Sequence, residues 1–220
     1  MVFTREDSYK HKNWRKRLID ELRTQGIGDE NVLGAMMRIP RHYFLDPAFE
    51  SIAYENRAFS IEAEQTISQP YTVAFQTSLL NIVANQKVLE IGTGSAYQCT
   101  ILAELGAFVY TIERQRKLFD YRAKHYPYKG EYSKLFFFCG DGFVGNETNA
   151  PYDKILITAA APFVPPKLVE QLKVGGQMVI PVDEGDGQRM KRLTKISDTE
   201  LQEEQFTMFK FVPMLPGVDR

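Results

Sequence analysis

The stretch Val88-Leu89-Glu90-Ile91-Gly92-Thr93-Gly94-Ser95-Ala96-Tyr97 decides the fold. An apolar run ends on two glycines, and a helix is expected behind them, from about Ala96 to Leu105. Glycines at that joint let the backbone pass close to a ligand at the carboxyl end of a strand, where doubly wound sheets bind their ligands.

Outward from this joint the chain alternates. Further strands are read at Phe108 to Ile112, Leu135 to Cys139, Lys154 to Thr158 and Gln177 to Val182. Helices are read at Gln115 to His125 and Pro166 to Leu172, with Gly175-Gly176 breaking the chain before the last strand. Such alternation predicts a mostly parallel α/β sheet, doubly wound. Two runs, Met190 to Ile196 and Gln205 to Val212, have no helix between them and predict a C-terminal antiparallel hairpin.

Upstream, the chain reads as a helical layer. One helix ends near Gly26, a short one runs from about Asn31 to Met37 behind Asp29 as cap, and Pro40 to Gln69 is irregular. Pro70 opens a helix whose apolar residues repeat at helical spacing as far as Val83. The basic cluster Lys10, Lys12, Arg15, Lys16, Arg17 beside Trp14, Leu18 and Leu22 reads as the solvated face of an amphipathic helix.

Composition excludes several classes. The 220 residues are 44% hydrophobic and 25% charged, ordinary globular usage, and no apolar run suits a membrane span. A net charge of −1 argues against nucleic acid as a partner. The polar N-terminus lacks a signal-peptide core, so a cytoplasmic protein without membrane contact is expected. Cys99 and Cys139 lie far apart, both expected as small buried hydrophobes, and neither disulfide nor metal spacing is present. One elaborated domain over residues 1–220 is expected, and a monomer is favoured.

Two ligand classes use a glycine turn of this kind. A dinucleotide fingerprint asks for a third small residue where Tyr97 stands, which disfavours a nicotinamide or flavin dinucleotide. Glu113 ends the next strand about 20 residues on, where a carboxylate can accept both ribose hydroxyls of an adenosine, or simply favour a helix start. Asp141, within Cys139-Gly140-Asp141-Gly142, is placed either for an adenine amino group or for a turn.

Together with these residues, several blocks resemble the protein-L-isoaspartate O-methyltransferase family over nearly the whole chain. They include Arg38-Ile39-Pro40-Arg41-His42-Tyr43-Phe44, Gln65-Thr66-Ile67-Ser68-Gln69-Pro70, Tyr152-Asp153-Lys154-Ile155, Ala159-Ala160-Ala161-Pro162 and Phe211-Val212-Pro213-Met214. The resemblance implies a Rossmann-like class I methyltransferase, with a helical and substrate-loop layer over 1–80 and a cofactor-binding core with its hairpin over 81–220. It implies S-adenosyl-L-methionine as cofactor, S-adenosyl-L-homocysteine as product, and isoaspartyl-containing proteins and peptides as substrates for repair. Cofactor contacts are then expected from Gln65, Thr66, Ile67, Glu90, Gly92, Gly94, Ser95, Glu113, Arg114, Gly140, Asp141 and Gly142, and no metal is implied. Ser68 is implied as the active-site residue, and Phe211, Val212 and Pro213 as the backbone along which the peptide lies; by spacing alone Ser68 reads rather as a helix cap.

The chain departs from the family pattern at three positions. Ala96, Glu62 and Glu64 stand where glycines are usual. Two extra carboxylates would repel an anionic acceptor, which leaves open a same-fold methyltransferase for another carboxylate or small molecule, or a non-catalytic cofactor-binding homologue.

Overall fold

A computed structural model describes residues 6–219. In chain order it holds α1 (Tyr9–Thr24), α2 (Glu30–Arg38), the short pair β1 (Phe59–Ser60) and β2 (Thr66–Ile67), and α3 (Pro70–Leu80). The core follows: β3 (Lys87–Ile91), α4 (Tyr97–Glu104), β4 (Phe108–Glu113), α5 (Arg116–His125), β5 (Leu135–Cys139) and β6 (Tyr152–Ile157). It closes with α6 (Pro166–Glu170), β7 (Leu172–Asp183), β8 (Gln188–Lys195) and β9 (Leu201–Phe209).

The main sheet runs β5-β4-β3-β6-β7-β8-β9, parallel from β5 to β7, with β8 and β9 added antiparallel. The chain winds outward from β3 to β5, returns to β6 on the other side of β3, and winds away again. The β3/β6 junction is therefore the topological switch point, where a crevice opens at the strand tips.

Alternation along the strands sorts two cores. Val88, Val109, Leu135, Leu156 and Val179 face the helical layer and pack in one cluster with Leu18, Leu33, Ala74 and Ile101. Leu89, Ile91, Ile155, Ile157 and Ile180 face the other way, around Leu168 of α6. Every residue of α4 from Tyr97 to Ala103 is buried, because the sheet lies under it and α2 touches its outer side.

Five expectations need correction. Gly175-Gly176 does not break the chain: β7 passes through it, with a register irregularity opposite Tyr152/Lys154. The pair makes a bulge because Gly175 has φ +80° and a Cβ on Gly176 would meet the carbonyl oxygens of Lys173 and Asp153 at 2.8 and 2.9 Å. For the same reason α6 ends at Glu170, since Leu172 is already paired with Tyr152. The third helix stops at Leu80 because Asn81 turns left-handed, leaving Val83 exposed. Cys139 is only half-buried, on the outermost strand β5, while Cys99 is buried in α4. Finally, Arg15 does not share the solvated basic face: it is buried, gripping Asp7 with both guanidinium arms at 3.0 and 2.8 Å.

Candidate active site

The site starts at the tip of β3. Gly92 turns the chain with φ +99°, close against β6, where the Thr158 hydroxyl donates to the carbonyls of Ile91 and Gly92, both at 2.9 Å. From there Gly94 N donates to Glu113 Oε2 at 2.9 Å, and Gln115 N donates to Oε1 at 2.9 Å. Burial raises the Glu113 carboxyl pKa above its ordinary value, while amide donation from Gln115 and Gly94 holds part of it back. Each oxygen keeps lone-pair capacity on its cavity side.

The opposite wall comes from the helical layer. β1 and β2 pair as a small ribbon, closed by Ile61 N donating to Gln65 O at 2.8 Å, and it carries Gln65 to Ser68 into the same cavity as the glycine turn. Ser68 is not the cap of α3, whose first residue is Pro70 and whose cap position is Gln69. Among the described residues the Ser68 hydroxyl has no partner, and it lines the cavity.

A third wall is the segment after β9. Ala160 N donates to Val212 O at 2.7 Å and Met214 N to Ala160 O at 2.8 Å, so this segment adds a short parallel bridge at Ala160. Phe211, Val212 and Pro213 line the cavity, which holds about 750 Å³.

Of the expected site residues, the cavity gathers Gln65, Thr66, Ile67, Ser68, Gly92, Gly94, Ser95, Glu113, Arg114, Gly142, Phe211, Val212 and Pro213. Glu90, Gly140 and Asp141 do not line it. Glu90 lies under the turn, fully buried, with the Thr111 hydroxyl donating to one oxygen and no hydrogen-bond partner for the other among the described residues. Burial pushes its carboxyl up to about 8, so it is largely protonated at neutral pH. Gly140 donates its amide to the Glu113 carbonyl, and the Asp141 carboxylate accepts from Phe143 N at 2.8 Å and Gly217 N at 2.7 Å. Thr158 was missed as a site residue, although a polar residue ending a central strand beside the glycine joint is a readable signal.

The three departures have a local physical basis. Ala96 has φ +68° and Glu64 φ +56°, backbone that favours glycine. Glu62 Oε2 accepts from Arg122 Nη2 at 2.7 Å, and Arg122 Nε donates to Gly94 O at 3.1 Å, so one buried guanidinium ties the ribbon to the glycine turn and neutralises the added charge. Ala96→Gly is expected to relieve left-handed strain at the expense of chain entropy. Melting should rise by about 1–2 °C, from a net ~0.5 kcal/mol, with cofactor-product affinity unchanged. Calorimetric scanning and titration check both, and a lowered melting point would refute the strain.

Ligand atoms of Asp7, His11 and His42 lie within 4.8 Å of one another, outside the cavity. They are already engaged: Arg15 holds Asp7, the two imidazoles stack at 4.0 Å, and their nitrogens bond Ser8, Glu50, Tyr54 and the Glu6 carbonyl.

A switch-point crevice, a glycine joint and a carboxylate closing the second strand of the wound sheet define a class I S-adenosylmethionine-dependent methyltransferase fold. Residues 12–219 match the family model "Protein-L-isoaspartate(D-aspartate) O-methyltransferase (PCMT)", and the chain belongs to that family. A protein-L-isoaspartate O-methyltransferase of Cytophaga hutchinsonii is 54% identical over 96% of this chain and 94% of its own. One of Christiangramia forsetii is 50% identical over 96% and 98%. Among solved structures, a protein-L-isoaspartate O-methyltransferase superposes with TM-score 0.80 at 27% identity, covering 90% of this chain and 65% of that one. A putative member from Plasmodium falciparum, in complex with S-adenosyl-L-homocysteine, shares the fold at TM-score 0.78 and 23% identity, over 93% and 98%.

Proposed function

We propose that this chain transfers a methyl group from S-adenosyl-L-methionine to the free α-carboxylate of L-isoaspartyl residues in damaged proteins. The carrying observation is Ser68, whose hydroxyl has no partner among the described residues and which lines one cavity with the glycine turn, Glu113 and the 211–213 segment. The residues fit the cofactor: Gly92, with φ +99° and Thr158 Oγ1 2.4 Å from where a Cβ would sit, keeps bare backbone at the cavity, and Glu113 offers acceptor capacity for ribose hydroxyls. Gly92, Gly94, Ser95, Glu113 and Arg114, with Gln65 to Ile67 and Gly142, would hold it; when bound it would supply an electrophilic methyl on sulfonium sulfur.

The chain's own work is then positional. An α-carboxyl ionises near pH 3.5, so the nucleophile needs no general base at neutral pH. Ser68 donates its hydroxyl to that carboxylate and orients it, and the Phe211 to Pro213 backbone holds the peptide alongside. The walls exclude water, and fixing the reacting atoms in line contributes several kcal/mol. Glu62 does not repel the acceptor, because Arg122 takes its charge.

No described helix is long and apolar enough to cross a membrane. We place the reaction in the cytoplasm, in a monomer of one domain, and give nucleic acid no role, which the net charge of −1 supports.

The test is transfer of labelled methyl to an isoaspartyl peptide beside its aspartyl twin, and equal or absent labelling of the two would reject the reading. Ser68→Ala is expected to lower kcat/KM about 10- to 100-fold, the worth of ~1.4–2.7 kcal/mol for a hydrogen bond to a charged group. S-adenosylhomocysteine affinity by titration should stay within about twofold, and unimpaired turnover would remove Ser68 from the mechanism.

A further inference from the structure

The largest fully buried side chain is a cation without a counter-ion. Arg41 is 0% exposed, in the short 3₁₀ turn after Pro40, and among the described residues no carboxylate pairs with it. Instead its Nε donates to the Ala53 carbonyl at 3.1 Å, and its Nη2 to the carbonyls of Arg57 at 3.4 Å and Ser68 at 2.8 Å. Its guanidinium lies 5.2 Å from the centre of the Tyr97 ring, and Tyr97 lines the cavity. Nη1 has no partner. Burial lowers its pKa to about 10, which leaves it charged at neutral pH.

Burying an uncompensated guanidinium is strongly unfavourable for folding, and an apolar side chain would fill the space better. Its contacts indicate what it does instead. All three acceptors are backbone carbonyls of the 53–68 stretch, of which Arg57 and Ser68 line the cavity on the side opposite the glycine turn, the acceptor wall, and the shortest bond goes to Ser68. A positive charge behind that wall, in low dielectric, favours a carboxylate in front of it. S-adenosylmethionine carries a sulfonium and an ammonium against one carboxylate, so a cation behind the wall gives it no net attraction.

We propose that Arg41 is a positioning residue for the carboxylate acceptor: it fixes the Ser68 peptide and backs the acceptor side of the cavity with buried positive charge. This rests on the reading of Ser68 above. The anchor and the charge come from one side chain, so their loss should appear in peptide kinetics and not in cofactor affinity.

The experiment is a cycle of Arg41→Lys, Arg41→Gln, Ser68→Ala and the doubles in the full chain. Kinetics with an isoaspartyl peptide are measured well below each melting point, and S-adenosylhomocysteine affinity by calorimetry. Arg41→Gln should lower kcat/KM for the peptide about 100-fold with cofactor-product affinity within about twofold, and Arg41→Lys, which keeps the charge but not the fork of donors, should recover about tenfold of that loss and leave the peptide KM raised. In the Ser68→Ala background the Arg41→Gln loss should shrink at least threefold, because the anchored peptide has then lost its hydroxyl and only the effect of the charge remains. Additive losses, no recovery in Arg41→Lys, or a parallel fall in cofactor-product affinity overturns the proposal. If Arg41→Gln does not fold, Arg41→Lys alone still decides: its peptide KM should rise with cofactor-product affinity held, and an unchanged KM overturns the role. Full activity in Ser68→Ala sinks the Ser68 reading and this proposal with it; full activity in Arg41→Gln beside an impaired Ser68→Ala sinks only the role of Arg41.

Discussion

Gly92→Ala is expected to cost the protein its cofactor site. A Cβ there would lie 2.4 Å from Thr158 Oγ1, well inside van der Waals contact, on a residue whose φ of +99° already excludes ordinary side chains. Thr158 cannot swing aside cheaply, because its hydroxyl donates to the carbonyls of Ile91 and Gly92 and so pins the turn from below. The backbone must move instead, and with it Gly94 N, which holds the Glu113 carboxylate. S-adenosylhomocysteine affinity should fall at least ~100-fold, equivalent to about 2.7 kcal/mol. The melting point should fall too, since left-handed strain alone costs about 1–2 kcal/mol. Adding Thr158→Ala removes the clashing oxygen but not the strained φ, so the double variant should regain part of the affinity and no more. Calorimetric titration of the three proteins decides the matter. Affinity within about threefold of the parent in Gly92→Ala would show that the turn yields without harming the site.

The same pair shows where sequence reading reaches and where it stops. Strands such as Val88 to Ile91 and Ile155 to Ile157 are legible because a parallel sheet covered on both faces leaves unbroken apolar runs. The glycine joint is legible because a strand ending on Gly-x-Gly before a helix is a local pattern. Thr158 is not, since its meaning depends on strand order, and β6 becomes the neighbour of β3 only when the winding direction reverses. Asp141 is legible only in part: the Phe143 amide two residues on makes the turn the sequence allows, but the second amide that engages it comes from Gly217, 76 residues away. Charged residues are the least legible of all. Arg15, Arg41 and Arg122 look like surface residues in sequence, yet each is buried, and their partners lie as far as 60 residues off. A guanidinium can reach several distant carbonyls or one carboxylate at once, so neither spacing nor periodicity announces its burial.

Arg15→Ala is the stability counterpart of that lesson. Its guanidinium holds both oxygens of Asp7, the Met37 carbonyl at 2.6 Å and the Tyr54 hydroxyl at 3.0 Å, joining α1 to the end of α2 and to the segment that leads into the acceptor wall. Truncation leaves a half-buried carboxylate without its counter-charge, the Met37 carbonyl without its donor, and the Tyr54 phenol with His42 as its remaining partner. Removing one partner of such a pair costs about 3–5 kcal/mol. At about 2–4 °C per kcal/mol for a chain of this size, the melting point at pH 7 should drop by roughly 6–20 °C. The loss also has a sign in pH. Burial opposes the Asp7 charge, but the Arg15 hydrogen bonds and charge outweigh it and hold the carboxyl below its ordinary value. That contribution is therefore present above the unfolded pKa near 4 and disappears as pH falls through the lower folded value. The gap between parent and variant should be widest at neutral pH and narrow in acid, as Asp7 takes up a proton in both. Differential scanning calorimetry at several pH values gives both numbers. A gap under about 2 °C at pH 7, or one that does not shrink on acidification, would mean that the N-terminal helical layer is held by its apolar contacts with α2 and α3 alone.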